Sequence, residues 1–437
     1  MTYKEATDYL FNKTANFEKQ GATGYKEGLD NTIALDEHFG HPHEHYRCIH
    51  VAGTNGKGSV SHTIAALLQM FGYRVGLYTS PHLKDFSERI RVNGKPISED
   101  YVSTFVNSNK DFFDSLEPSF FELATAMAFK YFYDSDIDIA VVEVGLGGRL
   151  DCTNIISPAL SIITNISLDH TQLLGTSIQQ IAMEKAGIIK PGIPVVIGEA
   201  SPETRAVFDA VAKEAKAPIY YAEDEKEIVE ATLTPKGMEY KARHLGDFTG
   251  ELCGEYQKRN TNTIVCAMQR LVNLGYLCDC IDPENNRKIK AEMDYAFQNV
   301  TKLTGLMGRW QTIRERPLVV CDTGHNVAGW QYLSQQISNV PCRQLHMVFG
   351  VVEDKDVYGI MSLLPKNATY YYTKANTKRA LPETSLKIFG DQFGLYGQSY
   401  PTVAEAYDAA VKNAGADDFI FVGGSTYVVA DFLNNCV

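Results

Sequence analysis

Hydrophobic and polar positions alternate along the first half of the chain in blocks that predict strands and helices in turn. The apolar run 46–52 has the length of a buried strand, and residues 59–71 then repeat apolar side chains at near-helical spacing. Further strand candidates are the apolar runs 74–78, 137–144, 160–165 and 194–198. Because segments with helical character, such as 121–133, separate these runs, we expect a mostly parallel sheet with helices on both faces, which is an α/β fold.

A second α/β unit is expected to begin near residue 302. Its short apolar strand candidates are residues 318–321, 345–349, 369–372 and 419–422, with helix-like stretches between them. Before this unit, residues 225–249 look less regular, and residues 256–274 resume a helical pattern. Since 437 residues exceed the size at which one hydrophobic core usually keeps growing, we predict two domains, residues 1–301 and residues 302–437.

Composition narrows the class of protein. The chain carries 41 basic and 53 acidic residues, a net charge of −12, which argues against a general nucleic-acid-binding surface. Its nine cysteines are irregularly spaced, as in a reduced cytosolic protein, and we expect Cys278 and Cys280 to be plain thiols. No apolar stretch approaches the length of a membrane span, and the N-terminus shows no secretory signal. We therefore predict a cytoplasmic protein that binds neither membranes nor nucleic acid.

Residues 51–59, between the first strand candidate and the first helical pattern, form a glycine-rich loop with one lysine. Such a loop suits a triphosphate, because backbone N–H groups turn toward phosphate oxygens, Lys57 reaches the outer phosphates and Ser59 can bind Mg²⁺. Gly58 separates Lys57 from Ser59, unlike the loop of common kinases and GTPases, which disfavours those enzymes. A plain turn is the alternative. The predicted nucleotide-binding residues of the loop are Thr54, Asn55, Gly56, Lys57, Gly58 and Ser59.

Polar residues end two other strand candidates, at the edge of the sheet where parallel strands bind ligands. Glu143 ends an apolar strand, and a carboxylate buried there needs a partner, which a metal cation would supply. The alternative is an ordinary strand end with a solvated side chain. His170 follows the strand candidate 160–165 and is available to a second metal ion, although a lone histidine is more often a surface or core residue.

Nine short motifs occur in order along the chain, and each is weak or moderate evidence when taken alone. They are residues 53–59, 79–83, 88–90, 119–122, 143–151, 168–170, 184–188, 308–311 and 322–326. As an ordered set they resemble the folylpolyglutamate synthase and dihydrofolate synthase branch of the Mur ligase superfamily, over most of the chain. The resemblance implies an N-terminal domain with a P-loop-type, mostly parallel sheet and a smaller α/β C-terminal domain of the Mur ligase type.

The resemblance implies two Mg²⁺ ions. Ser80 and Glu143 would bind one ion and His170 the other, while Ser59 stays the metal ligand that the loop itself suggests. Lys185 matches a lysine that is typically carbamylated in the family, which would turn an ammonium into an anion able to help hold the second metal. From its own sequence context, Lys185 would be a plain lysine on a helix surface. The catalytic residues implied are Lys57, Lys185 and His170.

The resemblance also assigns nucleotide and folate contacts. The positions that match ATP contacts are Asn260, Arg309, Asp322 and His325. The last three come from the linker and the second domain, so the nucleotide would bridge both domains. The positions taken as folate-binding are Gly28, Leu29, Phe120, Phe121, Glu122, Leu150, Asp151 and Cys152. Flat aromatic rings suit a flat pterin, but Phe120 and Phe121 are equally plausible as core. Cys152 departs from the alanine that is common there in the family.

The implied reaction is ATP-dependent ligation of L-glutamate to dihydropteroate, to tetrahydrofolate polyglutamates or to both, through an acyl phosphate. The implied cofactors are ATP and two Mg²⁺ ions, a monovalent cation is allowed, and the usual form is a monomer. The nearest alternative is a Mur ligase of cell-wall synthesis. Because the loop begins at residue 53, we expect no N-terminal nucleotide-sugar domain before it, and this expectation together with the pterin-like aromatic pair Phe120 and Phe121 disfavours that alternative. The other alternative is a nucleotide-dependent switch, which would hydrolyse ATP regardless of folate and glutamate.

Overall fold

The computed structural model describes residues 1–12, 14, 28–234, 236–276 and 286–437, so the expectation for Cys278 and Cys280 lies outside the described residues. These residues form two compact units. The first comprises Met1–Glu251 and Gln257–Leu306, and the second comprises Leu252–Tyr256 and Met307–Val437. The boundary in the structure therefore falls after Leu306, a few residues beyond the expected one, and the short segment before Gln257 belongs to the second unit.

The first unit is built on an eight-stranded sheet. Its strands are β1 (Arg47–Ala52), β2 (Val75–Tyr78), β3 (Ile90–Val92), β4 (Lys95–Pro96), β5 (Ile139–Glu143), β6 (Leu160–Ile163), β7 (Val195–Ile197) and β8 (Ile219–Tyr221). In the spatial order β4-β3-β2-β5-β1-β6-β7-β8, the strands from β2 to β8 run parallel. Only β3 and β4 are antiparallel additions at one edge. The predicted mostly parallel sheet is confirmed.

Helices cover both faces of this sheet. They are α1 (Tyr3–Asn12), α2 (Asp30–His38), α3 (Lys57–Met70), α4 (Glu99–Leu116), α5 (Phe120–Asp134), α6 (Thr171–Leu174), α7 (Ile178–Ala186), α8 (Pro202–Glu214), α9 (Ala222–Glu225), α10 (Gln257–Asn273), α11 (Asn286–Gln298) and α12 (Val300–Thr304). Because side chains alternate along a strand, β1 packs Ile49 and Val51 with α3 and α10, and Cys48 with α1 and α5 on the other face. Burial on both faces explains why these strands read as continuous apolar runs.

The segment that looked less regular in the sequence forms a small antiparallel sheet. Its strands are β9 (Ile228–Thr234), β10 (Gly237–Ala242) and β11 (Phe248–Gly250). Met238 and Tyr240 of β10 are buried and join the core cluster that contains α3 and α10. Strand β9 leaves the apolar Val229 and Leu233 exposed, so its sequence lacks the alternation of apolar and polar residues that marks a half-buried strand.

The second unit is the predicted smaller α/β unit. Its strands are β12 (Gln311–Glu315), β13 (Leu318–Asp322), β14 (Leu345–Phe349), β15 (Ala368–Tyr372), β16 (Gly397–Ser399) and β17 (Phe419–Gly423), and its helices are α13 (Val327–Asn339), α14 (Val357–Leu363), α15 (Glu383–Gln392), α16 (Val403–Asn413) and α17 (Thr426–Asn435). In the spatial order β12-β13-β17-β14-β15-β16, all neighbours are parallel except β12 and β13. The α/β class is thus confirmed in both units.

The start of α5 is set by a reciprocal cap. The hydroxyl of Ser119 accepts a hydrogen bond from the backbone N–H of Glu122 at 3.3 Å, and the carboxylate of Glu122 accepts one from the N–H of Ser119 at 2.5 Å. This capping box satisfies two backbone donors that the first turn would otherwise leave without partners. The capping box fixes the residue at which the helix begins, and therefore the positions of the Phe120 and Phe121 side chains on its first turn.

We predict that Ser119→Ala lowers the free energy of unfolding by about 1 kcal/mol, the usual value of an N-terminal cap. Urea denaturation followed by far-UV circular dichroism measures the change. A matched control is Ser103→Ala in α4, where the serine hydroxyl only bonds the carbonyl of Glu99 one turn back, and where we expect almost no loss. Equal destabilisation by the two variants would contradict the role of the cap.

Candidate active site

The glycine-rich loop connects β1 to the N-terminus of α3. Gly53 has φ of 141° and Gly56 has φ of 85°, a backbone region that side chains rarely adopt. Space is also tight, because a Cβ atom on Gly53 would lie 1.9 Å from the hydroxyl of Thr164. The loop thus needs glycine at these positions, and it presents the free N–H groups of a 14-residue helix, a favourable place for phosphate.

The loop is anchored to the segment that follows β6. The N–H of Thr54 donates to the carbonyl of Asn165 at 2.9 Å, and the N–H of Asn55 donates to the side-chain oxygen of Asn165 at 3.0 Å. In return, the hydroxyl of Thr164 donates to the carbonyl of Asn55 at 2.6 Å, and the N–H of Ser167 donates to the hydroxyl of Thr54 at 3.0 Å. Thr54 and Asn55, predicted as nucleotide contacts, therefore shape the loop in this structure.

Helix α10 brings Asn260 to the same loop, although about 200 residues separate them in the sequence. A Cβ on Gly56 would lie 2.4 Å from the side-chain oxygen of Asn260, so the amide rests directly on the loop backbone. Gln257, one turn earlier, accepts from the amide of Asn260 at 3.0 Å and donates to the hydroxyl of Ser59 at 3.4 Å. Gln257 was not predicted from the sequence. It stands three residues before Asn260 in the helical pattern, and this spacing could have indicated that the two side chains share a helix face.

Two lysines converge on one oxygen atom of the loop. Lys57 Nζ lies 3.1 Å from the Gly53 carbonyl oxygen and 3.1 Å from that of Thr54, and Lys185 Nζ from α7 lies 3.0 Å from the Gly53 oxygen. Lys185 is only 5% exposed, so the expectation of a plain surface lysine is wrong. Burial, reinforced by the charge of Lys57, lowers the pKa of Lys185 to about 7, although Asp169 and Asp151 act in the opposite sense.

Of the five residues predicted as metal ligands, Ser80, Glu143 and His170 lie at or after the carboxyl ends of β2, β5 and β6, whereas Ser59 lies in α3 and Lys185 in α7. Glu143 is buried, with 4% exposure, and its carboxylate accepts from the backbone N–H of Ser80 at 3.3 Å, so these two predicted ligands are neighbours. His170 immediately precedes α6 as its N-cap residue, and its side chain is 26% exposed, beside Asp169. Within the described ranges no three His, Cys, Asp or Glu side chains form a metal-binding cluster. A metal here would therefore depend also on serine and phosphate oxygens.

The two adjacent phenylalanines differ in environment. Phe120 is 2% exposed and stacks on Phe11 with ring centroids 4.6 Å apart, while the guanidinium of Arg89 lies 5.0 Å from its centroid. Its ring belongs to the core. Phe121 is partly exposed, and its ring contacts the turn after β5, since a Cβ on Gly145 would lie 2.3 Å from Phe121 Cζ. Of these two rings, only that of Phe121 therefore has an accessible surface.

The remaining predicted folate residues surround that turn or approach α5. Glu122 is buried in its capping role and lies 3.4 Å from the amide of Asn31, which connects it to the segment that contains Gly28 and Leu29. Leu150 and Cys152 are half-buried, and burial raises the pKa of the Cys152 thiol.

Asp151 is buried, with 5% exposure. Its carboxylate accepts from the N–H of Leu146 at 2.8 Å and from the N–H of Thr153 at 3.0 Å, and burial raises its pKa in spite of these bonds. A carboxylate bonded in this way holds the surrounding backbone in place.

In the second unit, Arg309 before β12 comes close to Asp322, the last residue of β13, and to the segment that carries His325. Asp322 is 3% exposed and accepts from the N–H groups of Trp310 and Gly324 at 2.7 and 2.8 Å. Arg309 contacts the hydroxyl of Thr323, and His325 Nδ1 lies 3.0 Å from the carbonyl oxygen of Thr323. Burial raises the pKa of Asp322, and the charge of Arg309 opposes the rise.

The hydroxyl of Tyr256 donates to Asp322 at 2.8 Å, a contact that sequence reasoning missed. No local pattern signalled it, because the two residues lie far apart in the chain.

Two domain families match this sequence. Residues 51–268 match the Mur ligase middle domain, and residues 308–426 match the Mur ligase glutamate ligase domain. The Bacillus subtilis dihydrofolate synthase/folylpolyglutamate synthase is 32% identical over 425 residues, which cover 93% of this chain and 94% of the relative. The chain belongs to the dihydrofolate synthase/folylpolyglutamate synthase family of Mur ligases.

Solved structures of this family share the fold. Escherichia coli FolC in complex with DHPP and ADP matches with a TM-score of 0.81 and 28% identity, covering 99% of this chain and 97% of that one. A bifunctional folylpolyglutamate synthase/dihydrofolate synthase with Mn, AMPPNP and L-glutamate bound matches with a TM-score of 0.78 and 27% identity, covering 98% and 97%. The resemblance drawn from the ordered motifs is therefore confirmed.

Among the helices of the described residues, none has the length and apolar character needed to cross a bilayer.

The buried position of Lys185 predicts that the stability of the protein depends on pH. Its pKa in the folded chain, about 7, is lower than its ordinary value of 10.5. Between these two values the unfolded chain holds more protons at this residue, so the free energy of unfolding rises with pH. We expect the stability of the protein relative to Lys185→Met to increase from pH 7 to pH 10, by up to about 1.4 kcal/mol per pH unit.

Urea denaturation in the presence of a chelator measures this difference without interference from metal ions. Lys213→Met on α8 removes an exposed lysine and should follow the unsubstituted protein at every pH. Parallel stability curves for the unsubstituted protein and Lys185→Met would contradict the lowered pKa.

Proposed function

We propose that this chain uses ATP to join the α-amine of L-glutamate to a carboxylate of dihydropteroate and of tetrahydrofolate polyglutamates. The observation that supports this most directly is the phosphate loop, where Lys57 and the N-terminus of α3 provide positive charge at the end of β1, beside the strand β5 that ends in buried Glu143. The family to which the chain belongs indicates the acceptors, since the Bacillus subtilis relative is a dihydrofolate synthase/folylpolyglutamate synthase.

The first step is transfer of the γ-phosphoryl group. A carboxylate oxygen of the folate compound attacks the γ-phosphorus, the bond from that phosphorus to the β-γ bridging oxygen breaks, and ADP leaves. Lys57 and the N–H groups of the loop balance negative charge on the transferred group, which reduces its repulsion from the attacking carboxylate. The product is an acyl phosphate, which has a good leaving group.

The second step is attack by the amine. The nitrogen of L-glutamate adds to the acyl carbon, a tetrahedral species forms, and it expels inorganic phosphate as the amide forms and the amine loses a proton. No side chain has to form a covalent bond with the substrate, so catalysis consists mainly of positioning and of electrostatic stabilisation.

Metal ligands are assigned to the same edge of the sheet. Ser59, Ser80 and Glu143 would hold one Mg²⁺, and His170 with Lys185 a second, with a monovalent cation allowed beside them. A divalent ion in such a place neutralises phosphate charge and orients the transferred group. The donor set fits a hard cation because its atoms are carboxylate and hydroxyl oxygens with a single imidazole.

Lys185 is proposed to act as its carbamate. A neutral amine is the form that adds CO₂, and burial against Gly53 provides it near neutral pH. The added carboxylate would replace the repulsion between Lys57 and Lys185 by attraction, and would supply oxygen atoms for the second metal ion.

Binding of the acceptor and of ATP is assigned to the other predicted residues. Phe121 offers a ring face for the pterin, and Gly28, Leu29, Leu150 and Cys152 are assigned as further contacts of the acceptor. Phe120, Glu122 and Asp151 contribute through the packing and hydrogen bonds that fix the start of α5 and the turn after β5. Asn260 and Gln257 brace the phosphate loop. Arg309, Asp322 and His325 are proposed to contact the nucleotide, with Asp322 accepting from its hydroxyl groups.

We further propose that the protein is a cytoplasmic monomer. In the described ranges Cys48, Cys152, Cys253, Cys266, Cys321, Cys342 and Cys436 are all free thiols, which suits a reducing compartment. Light scattering after size-exclusion chromatography tests the oligomeric state.

The proposed reaction predicts ADP release only when ATP, Mg²⁺, L-glutamate and a folate acceptor are all present. Dihydropteroate and tetrahydrofolate are supplied separately, and mass spectrometry of the product counts the added glutamyl units. ADP release without an acceptor would favour a nucleotide switch, and turnover with a UDP-sugar peptide alone would favour a cell-wall ligase; either result would reject the proposal.

Within that assay, Glu143→Gln should lower kcat by about 100-fold or more, because the variant loses the charge that holds the metal while it keeps the shape of the side chain. Glu203→Gln on the exposed start of α8 is the control and should leave kcat unchanged. Equal kcat values for the two variants would contradict the assignment of Glu143 as a metal ligand.

The carbamate has a separate test. ¹³C NMR of the protein in ¹³C-bicarbonate should show a carbamate carbon that is absent in Lys185→Met and present in Lys213→Met. A spectrum without that signal, recorded on active enzyme, would refute carbamylation while leaving the ligase activity intact.

A further inference from the structure

A chain of buried hydrogen bonds leads from the central strand to the turn after β5. The carboxylate of Asp151, 5% exposed, accepts from the N–H of Leu146 at 2.8 Å through one oxygen. Its other oxygen accepts from the N–H and from the hydroxyl of Thr153, at 3.0 and 2.5 Å. Asp151 thereby ties the glycine-rich turn 145–148 to the 3₁₀ turn Cys152–Ile155.

Behind Thr153 stands a histidine that the proposed mechanism does not use. His50 lies on β1, is 0% exposed, and places Nε2 at 2.8 Å from the hydroxyl oxygen of Thr153. Because that hydroxyl gives its only hydrogen to Asp151, it can only accept from the ring, so Nε2 of His50 carries the hydrogen. Burial lowers the pKa of His50 to about 3, so the ring is neutral at physiological pH.

The second ring nitrogen of His50 lowers the stability of the fold. Nδ1 of His50 finds no hydrogen-bond partner among the residues that the structure describes. A buried polar atom without a partner lowers stability, and the aliphatic side chains of Ile49 and Val51 on the same strand avoid that loss. Among the described residues, the hydrogen bond from Nε2 to Thr153 is the only one that the ring makes.

We propose that His50 and Thr153 are positioning residues for the folate acceptor: through Asp151 they hold the turn 145–148 against Phe121. The inference rests on the proposed function, because it is the acceptor that meets this turn. Its geometric basis is the close contact of Gly145 with the Phe121 ring and the three bonds by which Leu146 and Thr153 fix Asp151.

The phosphate loop provides an internal reference for this role. Within the described ranges, Thr54 and Asn55 of this loop are held by hydrogen bonds to Thr164, Asn165 and Ser167, on the segment after β6. Loosening Asp151 should therefore weaken binding of the acceptor while binding of ATP stays the same. A merely structural role would weaken both.

The experiment compares matched pairs of variants in the ligase assay. Thr153→Val removes the hydroxyl and keeps the branched shape, whereas Thr153→Ser keeps the hydroxyl. His50→Leu removes the donor, whereas His50→Gln offers an amide N–H near the position of Nε2. We expect the KM for the folate acceptor to rise about tenfold in Thr153→Val and His50→Leu, equivalent to about 1.4 kcal/mol. The KM for ATP and kcat should stay within about twofold, and the serine and glutamine variants should resemble the unsubstituted enzyme.

The double variant His50→Leu/Thr153→Val tests whether the two residues act through one chain. If they do, the double variant should raise the KM for the acceptor no more than the worse single variant does, because either substitution alone already interrupts the chain of hydrogen bonds. Multiplication of the two effects would overturn the proposal, as would an unchanged KM for the acceptor or a parallel rise in the KM for ATP.

If the leucine variant does not fold, His50→Asn replaces it, since its shorter amide does not reach Thr153. Equal acceptor KM values for the asparagine and glutamine variants would then overturn the proposal. Failure of the proposed function is distinguishable, because it would show as absence of folate-dependent ADP formation in the unsubstituted protein.

Discussion

The site depends on one constraint, the convergence of two ammonium groups on the carbonyl oxygen of Gly53. Lys57 reaches it from the start of α3 and Lys185 from α7. Two like charges at one buried acceptor are unfavourable unless one is neutral or an anion joins them. The lowered pKa of Lys185 is the first solution, and a bound phosphate or a carbamate is the second. The loop is thus built to receive negative charge, and its glycines, its helix N-terminus and its anchor on the β6 segment all serve that geometry.

Much of what looks catalytic in the sequence supports backbone in the structure. Glu122 caps α5, Asp151 closes the turn after β5, and Asp322 accepts from the N–H of Trp310 before β12 and from that of Gly324 after β13. A buried carboxylate is stable only when donors surround it, and in each case the donors come from the chain itself. For Glu122 and Asp151, we infer that their effect on a substrate comes through the surfaces that they shape. This also explains why their environments resemble those of catalytic acids, with pKa values of Asp151 and Asp322 raised by burial.

Local patterns in the sequence sufficed for the elements nearest the site. The apolar run before Gly53 is β1, and the helical pattern after Ser59 is α3. They were readable because parallel strands are buried on both faces and because a loop with left-handed backbone requires glycine. The small sheet β9 to β11 was not predicted, because β9 exposes apolar side chains and therefore lacks the alternation of apolar and polar residues that indicates a half-buried strand. The difference between Phe120 and Phe121 was equally hidden, because adjacent positions on a helix face different neighbours that the sequence does not name.

By itself, the sequence determined the α/β class, the glycine-rich phosphate loop, the order of motifs and the residue types gathered at the strand ends, because each of these is a local or ordered pattern. Only the tertiary structure decided which of these residues meet: Lys185 with Lys57 at Gly53, Asn260 with Gly56, and His50 with Asp151 through Thr153. These contacts join positions far apart in the chain, and burial sets their protonation. Neither long-range proximity nor burial is encoded in the spacing of neighbouring residues.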